Sequence, residues 1–130
     1  MSPRDLIRTF YDARARGDRT ALRRILADDV RWHDPYPPPH GGDLVGADGV
    51  LAEIVEAAGA LTSGSTRLTL QDIAADGPLV VALVRWSATM HGRTMEGREA
   101  AVYKVSDGQI VEAWFHPADQ AASDAFFGAR

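Results

Sequence analysis

The stretch Val30-Arg-Trp-His-Asp-Pro35 constrains the fold most, because it predicts a buried strand with a carboxylate on its inner face. Side chains alternate along a strand, so Val30, Trp32 and Asp34 share one face. A face that begins with valine and tryptophan is a buried face, which places Asp34 in an apolar interior. Burial raises the pKa of a carboxyl group, so Asp34 is a candidate for proton transfer. The alternative is that Asp34 caps the turn before Pro35.

The composition is that of an ordinary globular protein. The 130 residues, 45% of them hydrophobic, suit a single domain, 1–130, with a buried core. A net charge of −4 argues against nucleic acid as a partner, since nucleic acids are held by basic surfaces. The absence of cysteine excludes disulfides and thiol chemistry. Without a signal-peptide pattern or an apolar run of ~20 residues, we expect a cytoplasmic protein and no membrane partner.

Periodicity along the chain predicts an α+β domain, with helices first and a mostly antiparallel sheet after them. Ser2 can cap a first helix that Gly17 ends, a second short helix follows, and Asp48 can cap a third. Prolines and glycines predict a loop over residues 36–43, and residues 118–127 are expected to form a short helix or a packed tail. Four further strands are predicted: Thr66–Ile73, Leu79–Met90, Arg93–Val105 and Gln109–His116.

Parity along the predicted hairpin indicates which side chains face inward. On Leu79–Met90 the even positions are all apolar, and on Arg93–Val105 the odd positions are apolar apart from Glu99. Glu99 is therefore a second candidate acid/base group, although it can also serve as an ion-pair partner. The arginines available to pair with it are Arg14, Arg85 and Arg93. If Glu99 and Asp34 face one pocket, their repulsion separates their pKa values, leaving one as acid and the other as base.

The remaining candidate pocket residues are aromatic or apolar side chains, with one histidine at the expected mouth. They are Phe10, Tyr11, Trp32, Val84, Trp86, Ala88, Met90, Ala101, Tyr103, Ala113, Phe115 and His116. Aromatic side chains are most often core packing, but around a pocket they also favour a flat or cyclic ligand. The side chain of His33 points to the opposite face of the strand from Asp34, so it is expected at the surface or at a subunit contact. The four histidines lack the paired spacing of a metal site, so we expect no metal and no cofactor.

Five segments carry a resemblance to a known family. They are Tyr11-Asp-Ala-Arg-Ala-Arg-Gly-Asp18, Leu26-Ala-Asp-Asp-Val30, Trp32-His-Asp-Pro35, Gly46-Ala-Asp-Gly-Val50 and Tyr103-Lys-Val-Ser-Asp-Gly-Gln-Ile-Val-Glu-Ala-Trp114. In order and spacing they resemble the ketosteroid isomerase-like and SnoaL-like proteins of the nuclear transport factor 2-like superfamily, over nearly the whole chain. The resemblance implies a cone-shaped NTF2-like fold, with three N-terminal helices packed on a curved sheet around a pocket, and commonly a homodimer. The alanine- and arginine-rich composition is typical of a high-GC bacterial source.

The resemblance carries over one catalytic residue of the isomerases and not two others. Asp34 falls where ketosteroid isomerases hold their general-base aspartate. Their oxyanion-hole tyrosine falls on Phe10, next to Tyr11, and their protonated aspartate falls on Ala101. The resemblance therefore implies SnoaL-like cyclase chemistry before steroid isomerisation.

The sequence thus favours a cofactor-independent isomerase, cyclase or related lyase that acts on a hydrophobic carbonyl or polyketide-like compound. Asp34 would be the base, and the enolate would be stabilised by Tyr11, Tyr103, His116, protonated Glu99 or water. Two alternatives remain open at this point. One is a domain that holds an apolar ligand without catalysis, and the other is a dimeric protein-interaction domain.

Overall fold

A computed structural model describes residues 1–35 and 42–128 of the chain. Its elements are α1 (Pro3–Arg16), α2 (Arg19–Ile25), β1 (Leu26–Asp34), β2 (Gly42–Val45), α3 (Ala47–Leu51), a π-helical segment (Ala52–Ala57), α4 (Ala58–Leu61), β3 (Arg67–Asp76), β4 (Leu79–Met90), β5 (Arg93–Ser106), β6 (Gln109–Pro117) and α5 (Gln120–Gly128). The six strands form one sheet in the order β2-β1-β6-β5-β4-β3. Only the β1–β6 pair among them is parallel in the described part of the chain. Helix α1 lies against β3 and β4, and α3 against β1. This confirms the predicted α+β architecture.

Helix α1 begins and ends where the sequence predicts. The Ser2 hydroxyl accepts a hydrogen bond from the Asp5 N–H at 3.1 Å, and Gly17 ends the helix with a left-handed φ of 65°. The buried stripe of the helix includes Phe10, which is fully buried. One turn beyond Phe10, the same stripe reaches the half-buried side chain of Arg14.

The predicted third helix exists, but its cap and its interior differ from the expectation. Gly46 is the N-cap residue and makes no side-chain cap, while Asp48 lies inside the helix, 3.5 Å from Arg23. From Ala47 to Leu61 the chain is helical throughout, with the π-helical segment in the middle. A π-helix is rare and is often found at functional sites, so the surface next to this segment is a candidate functional site.

Strand β2 is missing from the sequence prediction, which assigned residues 36–43 to a loop. Gly42 and Asp43 instead start a short antiparallel partner of β1, and residues 36–41, including His40, lie outside the described part of the chain. A strand of four residues that begins with glycine carries too little alternation to be recognised. Strand β1 begins at Leu26, four residues before the start expected from the sequence. The earlier start was not recognised because the exposed acidic pair at positions 28 and 29 interrupts the apolar pattern of the strand.

The β4–β5 hairpin confirms the parity argument, whereas β6 departs from it at one end. Trp86 pairs with Gly97 and both β4 bounds are as predicted. In β6, strict alternation would put Ile110 on the same face as Glu112, yet Ile110 is fully buried. The register shifts between Lys104, which pairs with Glu112, and the next residue, which pairs with Ile110. This bulge inserts one extra residue into β6, so the residues before Glu112 face the opposite side of the sheet from the one that strict alternation predicts.

Candidate functional site

A cavity of about 140 Å³, called here the first cavity, lies between the helices and the inner face of the sheet. Strands β1, β4, β5 and β6 contribute its wall on one side, and α1, the π-helical segment and α4 contribute the other. Five residues singled out from the sequence line it: Trp32, Asp34, Trp86, Glu99 and Phe115. The cavity therefore brings the two candidate carboxylates together in one mainly aromatic and apolar chamber.

Asp34 reaches the cavity because it ends β1 on the same face as two buried residues. Val30 is fully buried and Trp32 is 2% exposed, and the alternation of the strand carries Asp34 into the cavity wall. The next residue, Pro35, also lines the cavity. Strand β6 lies between β1 and β5, so Asp34 and Glu99 approach the chamber from two strands that are not neighbours.

The environment of Glu99 favours the neutral form of its carboxyl group. It is half-buried in β5, opposite Val84, and burial raises its pKa, while the positive charge of Arg14 offsets part of that effect. Within residues 1–35 and 42–128, Glu99 makes no hydrogen bond or ion pair. Of the three arginines that the sequence offers as partners, Arg14 is the one that acts on Glu99, and it does so through space. A carboxyl group whose neutral form is favoured in this way can donate a proton or a hydrogen bond to a ligand.

Trp86 supplies an aromatic wall and a hydrogen-bond donor without a partner. Its indole ring lies directly over the backbone of Gly97, where a Cβ atom would come within 2.5 Å of the ring. Phe127 of α5 covers the ring at 5.2 Å between centroids. The indole Nε1 is buried and has no hydrogen-bond partner among the described residues. Nothing in the sequence pattern identifies this donor, since Trp86 was expected only to line the pocket.

The two tyrosines proposed to stabilise an enolate are engaged with each other. Their hydroxyls, on Tyr11 and Tyr103, lie 2.6 Å apart in the core, and burial raises the pKa of both. Phe10 and Trp32 pack against the Tyr103 ring at centroid distances of 5.7 and 6.2 Å. The pair forms part of an aromatic layer and does not line the first cavity.

Most of the other side chains expected around a pocket lie outside the wall of the first cavity. Facing inward on the sheet is different from facing the cavity, because α1 packs over β3 and β4, and Phe126 of α5 packs over Ala88 and Met90. The side chains in the core and not in the cavity wall are Phe10, Tyr11, Val84, Ala88, Met90, Ala101, Tyr103 and Ala113. His116 is exposed, because it follows the inward-facing Phe115 on β6. His33 lies on the outer face between Asp43 and Glu112, which raise its pKa.

Helical residues make up most of what the sequence analysis missed. Arg14, Glu53 and Ile54 line the first cavity, as does Thr62, which is 2% exposed. Arg14 could have been found, because it continues the apolar stripe of α1 one turn after Phe10. The others depend on the π-helical segment, whose changed periodicity a 3.6-residue pattern does not describe.

Two further features bear on the kind of site. In the described residues, no group of three or more histidine and acidic side chains is placed to hold a metal ion. The same part of the chain contains no helix that is both long and apolar enough to span a membrane.

Comparison with known proteins gives a family-level match. The model of the SnoaL-like domain matches residues 7–113. The uncharacterized protein Rv0034 of Mycobacterium tuberculosis is 34% identical over 125 residues, which cover 95% of this chain and 94% of the relative. A Mycobacterium bovis protein, also uncharacterized, matches to the same extent.

Solved structures of the same fold cover the whole chain. A Xanthomonas campestris protein of unknown function with a cystatin-like fold is 26% identical, with a TM-score of 0.88 and 98% of each chain covered. An NTF2-like protein of unknown function from Burkholderia pseudomallei is also 26% identical, with a TM-score of 0.84 and coverage of 99% and 100%. IdmH of Streptomyces antibioticus, described as a candidate polyketide cyclase, is 24% identical with a TM-score of 0.79 and full coverage of both chains. At that identity it shows the fold alone.

Proposed function

Because the chain belongs to the SnoaL-like domain family, we propose that it is a small-molecule acid/base enzyme of the isomerase, cyclase or related lyase type. The substrate would be a hydrophobic carbonyl or polyketide-like compound, and Asp34 would be the general base. Solved structures of the same fold include proteins described as candidate polyketide cyclases, and the proposed class of reaction follows that analogy.

The observation that carries the proposal is the pairing of Asp34 and Glu99 in the wall of one apolar cavity. The pKa of Glu99 is raised by burial, which favours its neutral form. Acid/base enzymes commonly hold two carboxyl groups in different protonation states in this way, one to accept a proton and one to donate.

The proposed steps move only protons and electron pairs. Asp34 takes the proton from the carbon next to the carbonyl, and the electron pair of that C–H bond becomes the enolate. Glu99, as the neutral acid, donates a hydrogen bond or its proton to the carbonyl oxygen. For isomerisation the enolate is conjugated with a neighbouring C=C bond, and Asp34 returns its proton to the far carbon of that bond while the carbonyl re-forms. For ring closure the enolate carbon attacks a second carbonyl of the same molecule, and the oxygen of that carbonyl takes the proton from Asp34. Neither route needs a cofactor.

Proton abstraction can be tested before the natural substrate is known. The probe is β-tetralone, a flat ketone, and NMR follows deuterium uptake from D₂O at the carbon next to the carbonyl. We expect the protein to accelerate the exchange, and Asp34→Asn to remove about 10²–10⁴-fold of the acceleration, the usual worth of a placed base. Glu99→Gln should lower the rate and abolish its decline at the pH where Glu99 ionises, which lies above the ordinary value of 4.5.

Asp12→Asn is the matched control, because Asp12 is exposed on α1 and paired with Arg16. It should leave the exchange rate unchanged. Acceleration that survives Asp34→Asn would refute the role of Asp34 as base. Binding of the ketone without any acceleration would favour the alternative of a non-catalytic domain that holds an apolar ligand.

We also propose that the chain forms a homodimer through the outer face of the sheet. Leu79 and Leu83 of β4 are 46% and 47% exposed on this face, and Val81 between them is 37% exposed. On the same face, two strands away, Trp114 of β6 is half-buried and stacks on His33. Such a row of exposed apolar side chains is typical of an interaction surface.

A further inference from the structure

A second cavity, of about 430 Å³, adjoins the first and lies between α1, residues 54–62 at the end of the helical stretch, and the start of β3. The first cavity is smaller than the roughly 300–1,000 Å³ of pockets that hold drug-sized ligands, whereas the second is within that range. The two share a partition formed by six residues: Arg14, Ile54, Ala58, Thr62, Thr66 and Leu68. A ligand larger than the first cavity would extend past this partition into the second.

Arg14 is the charged member of the partition. Its guanidinium lies over the Phe10 ring, 5.8 Å from the centroid, and the side chain is half-buried. With the residues of the described ranges it makes no hydrogen bond and no ion pair. Its charge acts on Glu99 across the first cavity without contact. A half-buried guanidinium therefore presents its N–H donors, in the fork that fits a carboxylate, without a protein acceptor for them.

The charges around the two cavities differ in sign. The first cavity is lined by Asp34, Glu53 and Glu99 together with Arg14. Among the described lining residues of the second cavity, the charged ones are Arg14 and Arg67, and no acidic side chain is present. The Arg67 guanidinium already donates to two backbone carbonyl oxygens, at 2.8 and 2.9 Å, so Arg14 is the better placed to bind a ligand.

We infer that the site binds an amphipathic carboxylic acid, with its carboxylate on Arg14 at the second cavity and its apolar part in the first. A single guanidinium fork matches one carboxylate in charge and geometry. For catalysis, the substrate class becomes hydrophobic carbonyl compounds that carry a carboxylate. That last step rests on the proposed function, whereas the carboxylate site does not.

The test compares 2-naphthylacetate with its methyl ester, two probes that differ in charge and share the apolar ring. Isothermal titration calorimetry at pH 7 gives the two dissociation constants. We expect the wild type to bind the acid at least about 10-fold more tightly than the ester, because a charge-assisted hydrogen bond contributes free energy of that size. Arg14→Met keeps the apolar stem and should remove this preference by weakening the acid alone. Arg14→Lys keeps the positive charge without the guanidinium fork and should retain part of the preference for the acid.

Arg16→Met is the control, because Arg16 lies on the same helix but is exposed and paired with Asp12 and Asp18. It should keep the wild-type preference. The indole N–H signal of Trp86 should also shift when the acid binds to the wild type, since Trp86 lines the first cavity. A preference that persists in Arg14→Met, equal affinities in the wild type, or no binding of the acid would each overturn the inference.

The outcomes separate this inference from the proposed function. Asp34→Asn should keep the preference for the acid, because Asp34 does not line the second cavity. Loss of exchange chemistry with an intact acid preference would leave a carboxylate-binding domain without the proposed catalysis. Intact chemistry with no acid preference would overturn the Arg14 site alone.

Discussion

The buried hydroxyls of Tyr11 and Tyr103 join helix α1 to strand β5. Tyr11 is 7% exposed and Tyr103 is fully buried, and each hydroxyl has the other within 2.6 Å. A buried hydroxyl that loses its partner costs more free energy than a pair that is removed together. The bond therefore stabilises the layer of aromatic rings beneath the cavity only while both members are present.

This coupling predicts a non-additive pair of mutations. Tyr11→Phe should lower the free energy of unfolding by about 1–3 kcal/mol, because it leaves the Tyr103 hydroxyl unsatisfied. Tyr11→Phe combined with Tyr103→Phe should recover much of that loss, since no unpaired hydroxyl remains. Urea unfolding of the wild type, both single variants and the double variant gives the coupling energy. Additive losses in the double variant would show that the bond does not couple the two positions.

Individual positions were predictable where one periodicity held. Alternation along β1 and β5 was enough to predict that Asp34 and Glu99 face inward. The helical periodicity of α1 likewise places Arg14 on the buried stripe of that helix. The Nε1 of Trp86 has no hydrogen-bond partner in residues 1–35 and 42–128, and this was not predictable because it depends on the approach of the ring to Gly97 across the hairpin. Local patterns give the face of a side chain, while its hydrogen bonds depend on distant parts of the chain.

The C-terminal helix α5 covers one end of the sheet through a small second cluster. Phe126 is 4% exposed and packs with Trp86, Ala88 and Met90. Gln120, at the start of the helix, donates to the Pro35 carbonyl oxygen at 3.2 Å. Phe126 and Phe127 both pack near the Trp86 ring, so the phenylalanines of the helix contribute most of the apolar contact described between α5 and the sheet.

Phe126→Ala should detach α5 without unfolding the sheet. Loss of a buried phenylalanine costs about 3–5 kcal/mol, which is large against the contacts that hold a helix of nine residues. We expect faster hydrogen exchange over residues 120–128 and a red shift of tryptophan emission as Trp86 becomes hydrated. Ala125→Ser, at an exposed position of the same helix, is the control and should change neither. Equal acceleration of exchange in β4 and β5 would indicate global instability in place of local detachment.

The elements divide into those with strong local signals and those without. Strand β4 has its predicted bounds, because twelve alternating residues end at the turn His91-Gly92, where both residues have positive φ. Strand β2 is short and is defined by its pairing with β1. The π-helical segment and the β6 bulge each add a residue that shifts the period, and both sit among otherwise regular apolar patterns. Local propensity contains no signal for such insertions.

The molecule has one covered and one exposed sheet face, and we expect the exposed face to bury itself against a second copy. Leu83→Glu should raise the dimer dissociation constant by about 100-fold or more, because it places unpaired charges in an apolar contact. Light scattering after size-exclusion chromatography should give twice the 14.1 kDa chain mass for the wild type and the chain mass for the variant. Ala52→Glu, exposed on the helical side, should remain dimeric. A monomeric wild type would contradict the proposed interface.

The close approach of the Trp86 ring to Gly97 has a consequence for how relatives of this chain diverge. Gly97 does not line the first cavity, yet the indole ring can occupy its position only because residue 97 has no side chain. Any other residue at position 97 would displace the ring toward the chamber or out of the hairpin. Two relatives with identical cavity linings could therefore accept ligands of different size. Ligand range can thus evolve at a position that an inventory of the binding pocket omits.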